Sequence, residues 1–220
     1  MPLLHVLGSS HANPRHGLPS ILRQRYEAGT DKTFKEKYRI GTVFGVSGGR
    51  VGNPAVADTF VSKATHYADM PDYDGQVICL LIGTNDWARD TCSAADLETS
   101  FKTLVDRLLK VPRTAVILTG LLPRATTNGP RRTDMTEATQ VVRKLATNYI
   151  REEKMVRFVA CHHILLDPGT GHTEDGVKED ETKLKDGVHL RPDAVVLLAD
   201  KLLEVVRTLP KAFFPAQNSK

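Results

Sequence analysis

Two stretches of this chain, Val77 to Ile82 and Ala115 to Leu118, are apolar at every position. An unbroken apolar run of this length suits a β-strand covered on both faces, as in a parallel sheet. Residues 3–8, 38–46 and 156–161 read as further strands, so the full set is 3–8, 38–46, 76–82, 115–122 and 156–161. Helical stripes fall between them. Leu97, Phe101, Leu104, Val105 and Leu108 share one helix face, with Ser93 as N-cap and Pro112 beyond the end. Ala138, Val141, Val142, Leu145 and Tyr149 make a second stripe, and Val195, Ala199, Leu202 and Val206 a third, opened by Pro192. Strands alternating with helices predict an α/β protein, a three-layer α/β/α arrangement around a parallel sheet. Residues 28–37, 123–133 and 167–185 are irregular, and the last is long enough to line a site.

In open parallel sheets the ligand crevice lies beyond the carboxyl ends of the strands. Four chemically loaded segments fall at such ends or before a helix. They are Gly8-Ser9-Ser10, Ser47-Gly48-Gly49, Gly83-Thr84-Asn85-Asp86 and Asp186-Gly187-Val188-His189. A serine hydroxyl becomes a nucleophile when a base takes its proton, and histidine is the usual base. The histidine in turn needs a partner that holds its tautomer and stabilises the imidazolium. Asp186, three residues before His189, supplies one if the turn brings its carboxylate to Nδ1 and leaves Nε2 for Ser10. The oxyanion needs preorganised donors, and the candidates are the backbone N–H groups of Ser10 and Gly48 and the side-chain amide of Asn85. Each segment alone has an ordinary reading: Ser10 as a turn or cap serine, Gly48-Gly49 as a turn, Asn85 as an Asx turn, His189 in a surface pair. Their occurrence together and in order favours a serine hydrolase.

A rival nucleophile is Ser47. Gly45-Val46-Ser47-Gly48-Gly49 matches the G-x-S-x-G elbow, which requires a helix starting at the serine. The residues that follow, Gly48 to Pro54, are poor helix formers, so Ser47 reads as a turn residue that positions Gly48. Trp87 is a candidate wall of an acyl pocket or a packing residue, and Arg124 a candidate contact at the substrate edge. His162 and His163 read as structural. No zinc-type spacing and no phosphate-binding loop occurs, so no cofactor or metal is implied.

On these blocks the sequence resembles the SGNH hydrolases, the GDSL-type esterases and lipases. Gly8-Ser9-Ser10, Gly45-Val46-Ser47-Gly48-Gly49, Gly83-Thr84-Asn85-Asp86 and Asp186-Gly187-Val188-His189 match the four family blocks, and the resemblance spans residue 3 to about 208. It implies Ser10 as nucleophile and oxyanion donor, Gly48 and Asn85 as the other donors, and Asp186 and His189 as the rest of the triad. It also implies a five-stranded parallel sheet in the order 2-1-3-4-5. The aspartate usual in the first block is Ser9 here, which removes a charge that helps hold the nucleophile turn. A finer resemblance, on Ser10-His11, Arg50-Val51, Leu121-Leu122-Pro123-Arg124 and Asp186 to Leu190, is to esterase domains of eukaryotic retrotransposon proteins. Those domains are similar to acetylesterases, and their parent proteins handle RNA.

The chain of 220 residues fits one domain, read as 1–209 with a tail at 210–220. A net charge of +4 is concentrated in basic residues between 15 and 50, a possible weak contact for nucleic acid or anionic lipid, although aromatic residues that would stack bases are not interleaved there. Three cysteines, Cys79, Cys92 and Cys161, form no disulfide framework and favour a reducing, cytoplasmic compartment. A first strand at Leu3 leaves no room for a signal peptide ahead of it, and no run reaches transmembrane length, which predicts a soluble protein. The expected activity is hydrolysis of short-chain, acetyl-type esters or lipids. The alternative is a non-catalytic RNA- or lipid-binding module on the same fold.

Overall fold

The computed structural model describes residues 1–13, 17–28, 38–89, 91–122, 135–161 and 189–209. Its centre is a parallel sheet of β1 (Leu3–Gly8), β2 (Arg39–Gly45), β3 (Gln76–Leu81), β4 (Thr114–Thr119) and β5 (Val156–Val159), in the order β2-β1-β3-β4-β5. The sheet order is the expected one. Every residue of β3 and β4 is buried, which is why their sequences lack the alternation of a one-sided strand. The two faces feed separate cores. Val77, Cys79 and Leu81 pack with Leu18, Leu22, Leu198 and Leu202 on one side. Ile78, Leu80 and Ile82 pack with Phe60, Phe101, Leu104 and Leu145 on the other.

The helices cover these faces as their stripes require. On the first face lie α1 (Leu18–Ala28) and α6 (Pro192–Arg207). On the second lie α2 (Pro54–Ala68), α4 (Ala94–Leu108) and α5 (Thr136–Arg151), with the single turn α3 (Thr84–Trp87) leading in from β3. Ser93 caps α4 in a capping box: its hydroxyl accepts from the Asp96 N–H while Asp96 accepts from the Ser93 N–H, both at 3.1 Å. Val195, Ala199, Leu202 and Val206 of α6 are all buried. In α5, Ala138, Val142, Leu145 and Tyr149 are buried while Val141 is only half-buried.

The structure departs from the sequence reading in three places. Helices α1 and α2 were not expected. The breakers from Gly48 to Asn53 end at a cap, where Asn53 Oδ1 accepts from the Ala55 N–H and Pro54 takes the first helical position. Strand β4 stops at Thr119 instead of running to 122, because the Leu121 N–H turns to the Thr139 hydroxyl of α5 at 3.1 Å. Strand β5 likewise ends at Val159, two residues early. The proposed tail at 210–220 lies outside the described residues.

Strands β1 and β2 carry an irregularity. Leu4 pairs with Ile40, but Val6 pairs with Val43, so β2 holds one extra residue opposite His5. The His5 Nδ1 accepts the Thr42 N–H at 3.0 Å, and the ring stacks on Tyr67 at 4.0 Å between centroids. Burial pushes the His5 pKa down to about 4, so the imidazole is neutral in the fold.

Candidate active site

Three of the four blocks sit wholly at the carboxyl edge of the sheet, and the last residue of the fourth joins them. Ser10 follows β1 and opens a short 3-10 turn, Ser10–Ala12, in which it is 6% exposed. Backbone bonds fix this turn: the Ser9 N–H donates to Leu81 O at 2.9 Å, the Ala12 N–H to Ser9 O at 3.0 Å and the Asn13 N–H to Ser10 O at 2.9 Å. Gly45, the last residue of β2, lies against the same turn. A Cβ there would stand 2.3 Å from Ser9 O and 2.5 Å from Asn13 N, closer than atoms can approach. Glycine is required at 45 because backbone occupies the space of a side chain. Ser9, where the family blocks carry aspartate, is 1% exposed, and its side chain makes no cap bond, so the backbone network holds the turn here.

The second block is a tight turn. The Gly49 N–H donates to Val46 O at 2.8 Å, and Gly48 takes φ +65°, in the left-handed region that favours glycine. Ser47 is exposed within this turn, and the next helix begins only at Pro54. A nucleophile elbow needs a helix starting at its serine, so Ser47 lacks the geometry of one.

The third block grips the second. The Asn85 side-chain amide donates to Gly49 O at 3.1 Å. The Asp86 carboxylate accepts the Val51 N–H and the Gly52 N–H, each at 2.9 Å. Burial raises the Asp86 pKa above the usual carboxylate range, while these two N–H bonds and the charge of Arg50 oppose that rise. Sequence reasoning treated Asp86 only as part of a block and missed this clamp, whose partners lie more than thirty residues away. The Thr84 hydroxyl donates to Leu122 O at 3.1 Å, which ties the same turn to the chain just past β4. Trp87 is 3% exposed and belongs to the core beside Leu97 and Phe101.

His189 lies just before α6, half-buried, and its ring meets that of His11 at 5.6 Å between centroids with a 56° tilt. Since His11 follows Ser10 directly, this contact brings the fourth block to the first. Asp186, Gly187 and Val188 lie outside the described residues, as do Arg124, His162 and His163.

This five-stranded parallel sheet in the order β2-β1-β3-β4-β5 is matched among known proteins. A sequence model of the GDSL-like lipase/acylhydrolase family matches residues 6–195. The chain belongs to this family and is a carboxylic ester hydrolase. Among solved structures, it is similar to a GDSL-like lipase from Bacteroides thetaiotaomicron, with 18% identity and a TM-score of 0.60 over 93% of this chain and 87% of the other. An acetyl xylan esterase, AlAXEase, aligns at 16% identity and TM-score 0.62 over 93% of this chain and 99% of its own. A family 3 carbohydrate esterase from Clostridium thermocellum aligns at 16% and 0.60, over 94% and 97%. At these identities the likeness is one of fold. A search of curated proteins found no match.

Proposed function

We propose that the protein is a serine esterase of short-chain, acetyl-type carboxylic esters, working as one domain over residues 1–209. Ser10 Oγ attacks the ester carbonyl while His189 Nε2 takes its proton, and the carbonyl becomes a tetrahedral oxyanion. The N–H groups of Ser10 and Gly48 and the Asn85 amide hold that oxyanion. An amide nitrogen carries two hydrogens, so donating one to Gly49 O fixes the orientation in which Asn85 presents the other. His189 then gives its proton to the departing alcohol, leaving Ser10 acylated. Water attacks the acyl group by the same route in reverse, with His189 as base, and releases the acid. Asp186 holds the His189 tautomer and stabilises the imidazolium.

The observation that carries this reading is a set of three contacts between the blocks: the hydrogen bond of Asn85 to Gly49 O, the close approach of Gly45 to the Ser10 turn, and the ring contact of His189 with His11. The choice of acetyl esters draws on the acetyl xylan esterase among the structural neighbours. A cytoplasmic setting is favoured by three free cysteines, two of them fully buried. Among the described residues no helix is long and apolar enough to cross a membrane.

The binding-module alternative rests on the basic 15–50 segment. One of its members, Arg25, is paired with Asp200 at 3.3 Å, and residues 29–37 lie outside the described residues. Hydrolysis of p-nitrophenyl acetate, run beside a salt-dependent RNA titration, tests the choice. The esterase reading expects turnover that Ser10→Ala removes, and salt-sensitive RNA binding without turnover would replace it.

A further inference from the structure

His11 has no part in the chemistry above, yet among the described residues its ring meets that of the general base. It is 6% exposed, it sits one position after Ser10 in the 3-10 turn, and its ring lies 5.6 Å from that of His189 at a 56° tilt. Aromatic rings attract at centroid separations of about 4.5–7 Å in tilted arrangements. A cation within about 6 Å of the face of a tryptophan, tyrosine or phenylalanine is attracted further, and the π-face of a neutral imidazole offers a weaker form of the same attraction. Backbone bonds on both sides of His11 fix the turn that carries it, and its side chain is buried within the fold. His189 comes from far along the chain, and its contact with His11 sets its ring beside the Ser10 turn.

We propose that His11 is a positioning residue for His189: its ring packs on the catalytic imidazole, holds it toward Ser10, and favours the imidazolium that forms when His189 takes the Ser10 proton. The inference rests on the assignment of His189 as general base. A general base gains its proton only as the reaction proceeds, so an interaction that strengthens with that charge acts on kcat and leaves KM alone.

The test is steady-state hydrolysis of p-nitrophenyl acetate by His11→Ala, His11→Phe and His11→Gln, with thermal melts alongside. Phe keeps an aromatic face and close to the same volume, whereas Gln keeps polar atoms without a ring. His11→Ala is expected to lower kcat by about 10-fold with KM unchanged. His11→Phe is expected to recover most of that loss, and His11→Gln is not. If His11→Ala fails to fold, the order of Phe over Gln in kcat carries the test. Equal kcat in the Ala variant and the wild type, an effect confined to KM, or Gln outperforming Phe would each overturn the proposal. A parallel His189→Ala variant separates this from failure of the esterase assignment: if it stays active, the general-base assignment is wrong. If it is inactive while His11→Ala behaves as wild type, only the positioning role is wrong.

Discussion

His5 makes the fold sensitive to acid, and the size of the effect follows from its surroundings. The imidazole sits opposite the irregularity of β2, stacked on Tyr67 and accepting the Thr42 N–H. Burial lowers its pKa from 6.5 to about 4. The unfolded chain therefore takes up a proton as pH falls through 6.5, while the folded chain resists until about 4. Stability contributed by neutral His5 is fully present above the unfolded value and is lost as pH falls toward the folded one. The slope is about 1.4 kcal/mol per pH unit inside that window, the total about 3 kcal/mol, and about 2 kcal/mol is gone by pH 5. Other groups also titrate there, so the comparison needs a variant that packs but cannot be protonated. His5→Phe keeps a ring for Tyr67 and loses the acceptor for the Thr42 N–H, which costs about 1–3 kcal/mol at neutral pH. Urea unfolding of both proteins from pH 7.5 to 5 is expected to show the wild type ahead at pH 7.5 and the gap narrowing by about 2 kcal/mol at pH 5. A gap independent of pH, or an NMR titration of His5 near 6.5, would refute the reasoning.

Asn85→Ala is expected to lower kcat by ~10²–10³ with little change in KM, because the contact strengthens as the oxyanion forms; an effect on KM alone would make Asn85 a substrate-binding residue. Gly45→Ala drives a Cβ into the backbone of the Ser10 turn, so esterase activity should fall more than 10-fold and the protein should lose about 1–3 kcal/mol in urea unfolding; wild-type kinetics would show that the turn can move without cost. Glu153 takes φ +57° just past α5, where the Lys154 N–H closes onto Tyr149 O at 2.9 Å. Glu153→Gly relieves that left-handed strain and should raise stability by about 1 kcal/mol, read as a higher urea midpoint.

The sheet was legible because covered strands must be apolar on both faces, and Val77 to Ile82 divides neatly between the two cores. Helices α4, α5 and α6 were legible from their stripes, since Leu97, Phe101 and Leu104 or Leu202 and Val206 recur with the helical period. Helix α2 was hidden behind a glycine-rich turn, although Asn53-Pro54 carries the signature of a cap and first position. The blocks of the candidate site could be found in sequence because they are local. The bonds between them could not. Nothing in the order of residues says that Asp86 clamps Val51 and Gly52, that Gly45 has backbone where a Cβ would go, or that His11 meets His189. These depend on which strand ends lie side by side. The finer likeness to retrotransposon esterase domains rests on motif residues alone.

The proposed nucleophile is Ser10, and not the serine of the exposed turn after β2. A serine-directed fluorophosphonate allowed to react with the whole protein, followed by peptide mass spectrometry, reads this directly. One phosphonyl group is expected on Ser10, with labelling abolished in Ser10→Ala and His189→Ala and retained in Ser47→Ala. A label on Ser47 or Ser9, or labelling that survives in Ser10→Ala, would contradict it.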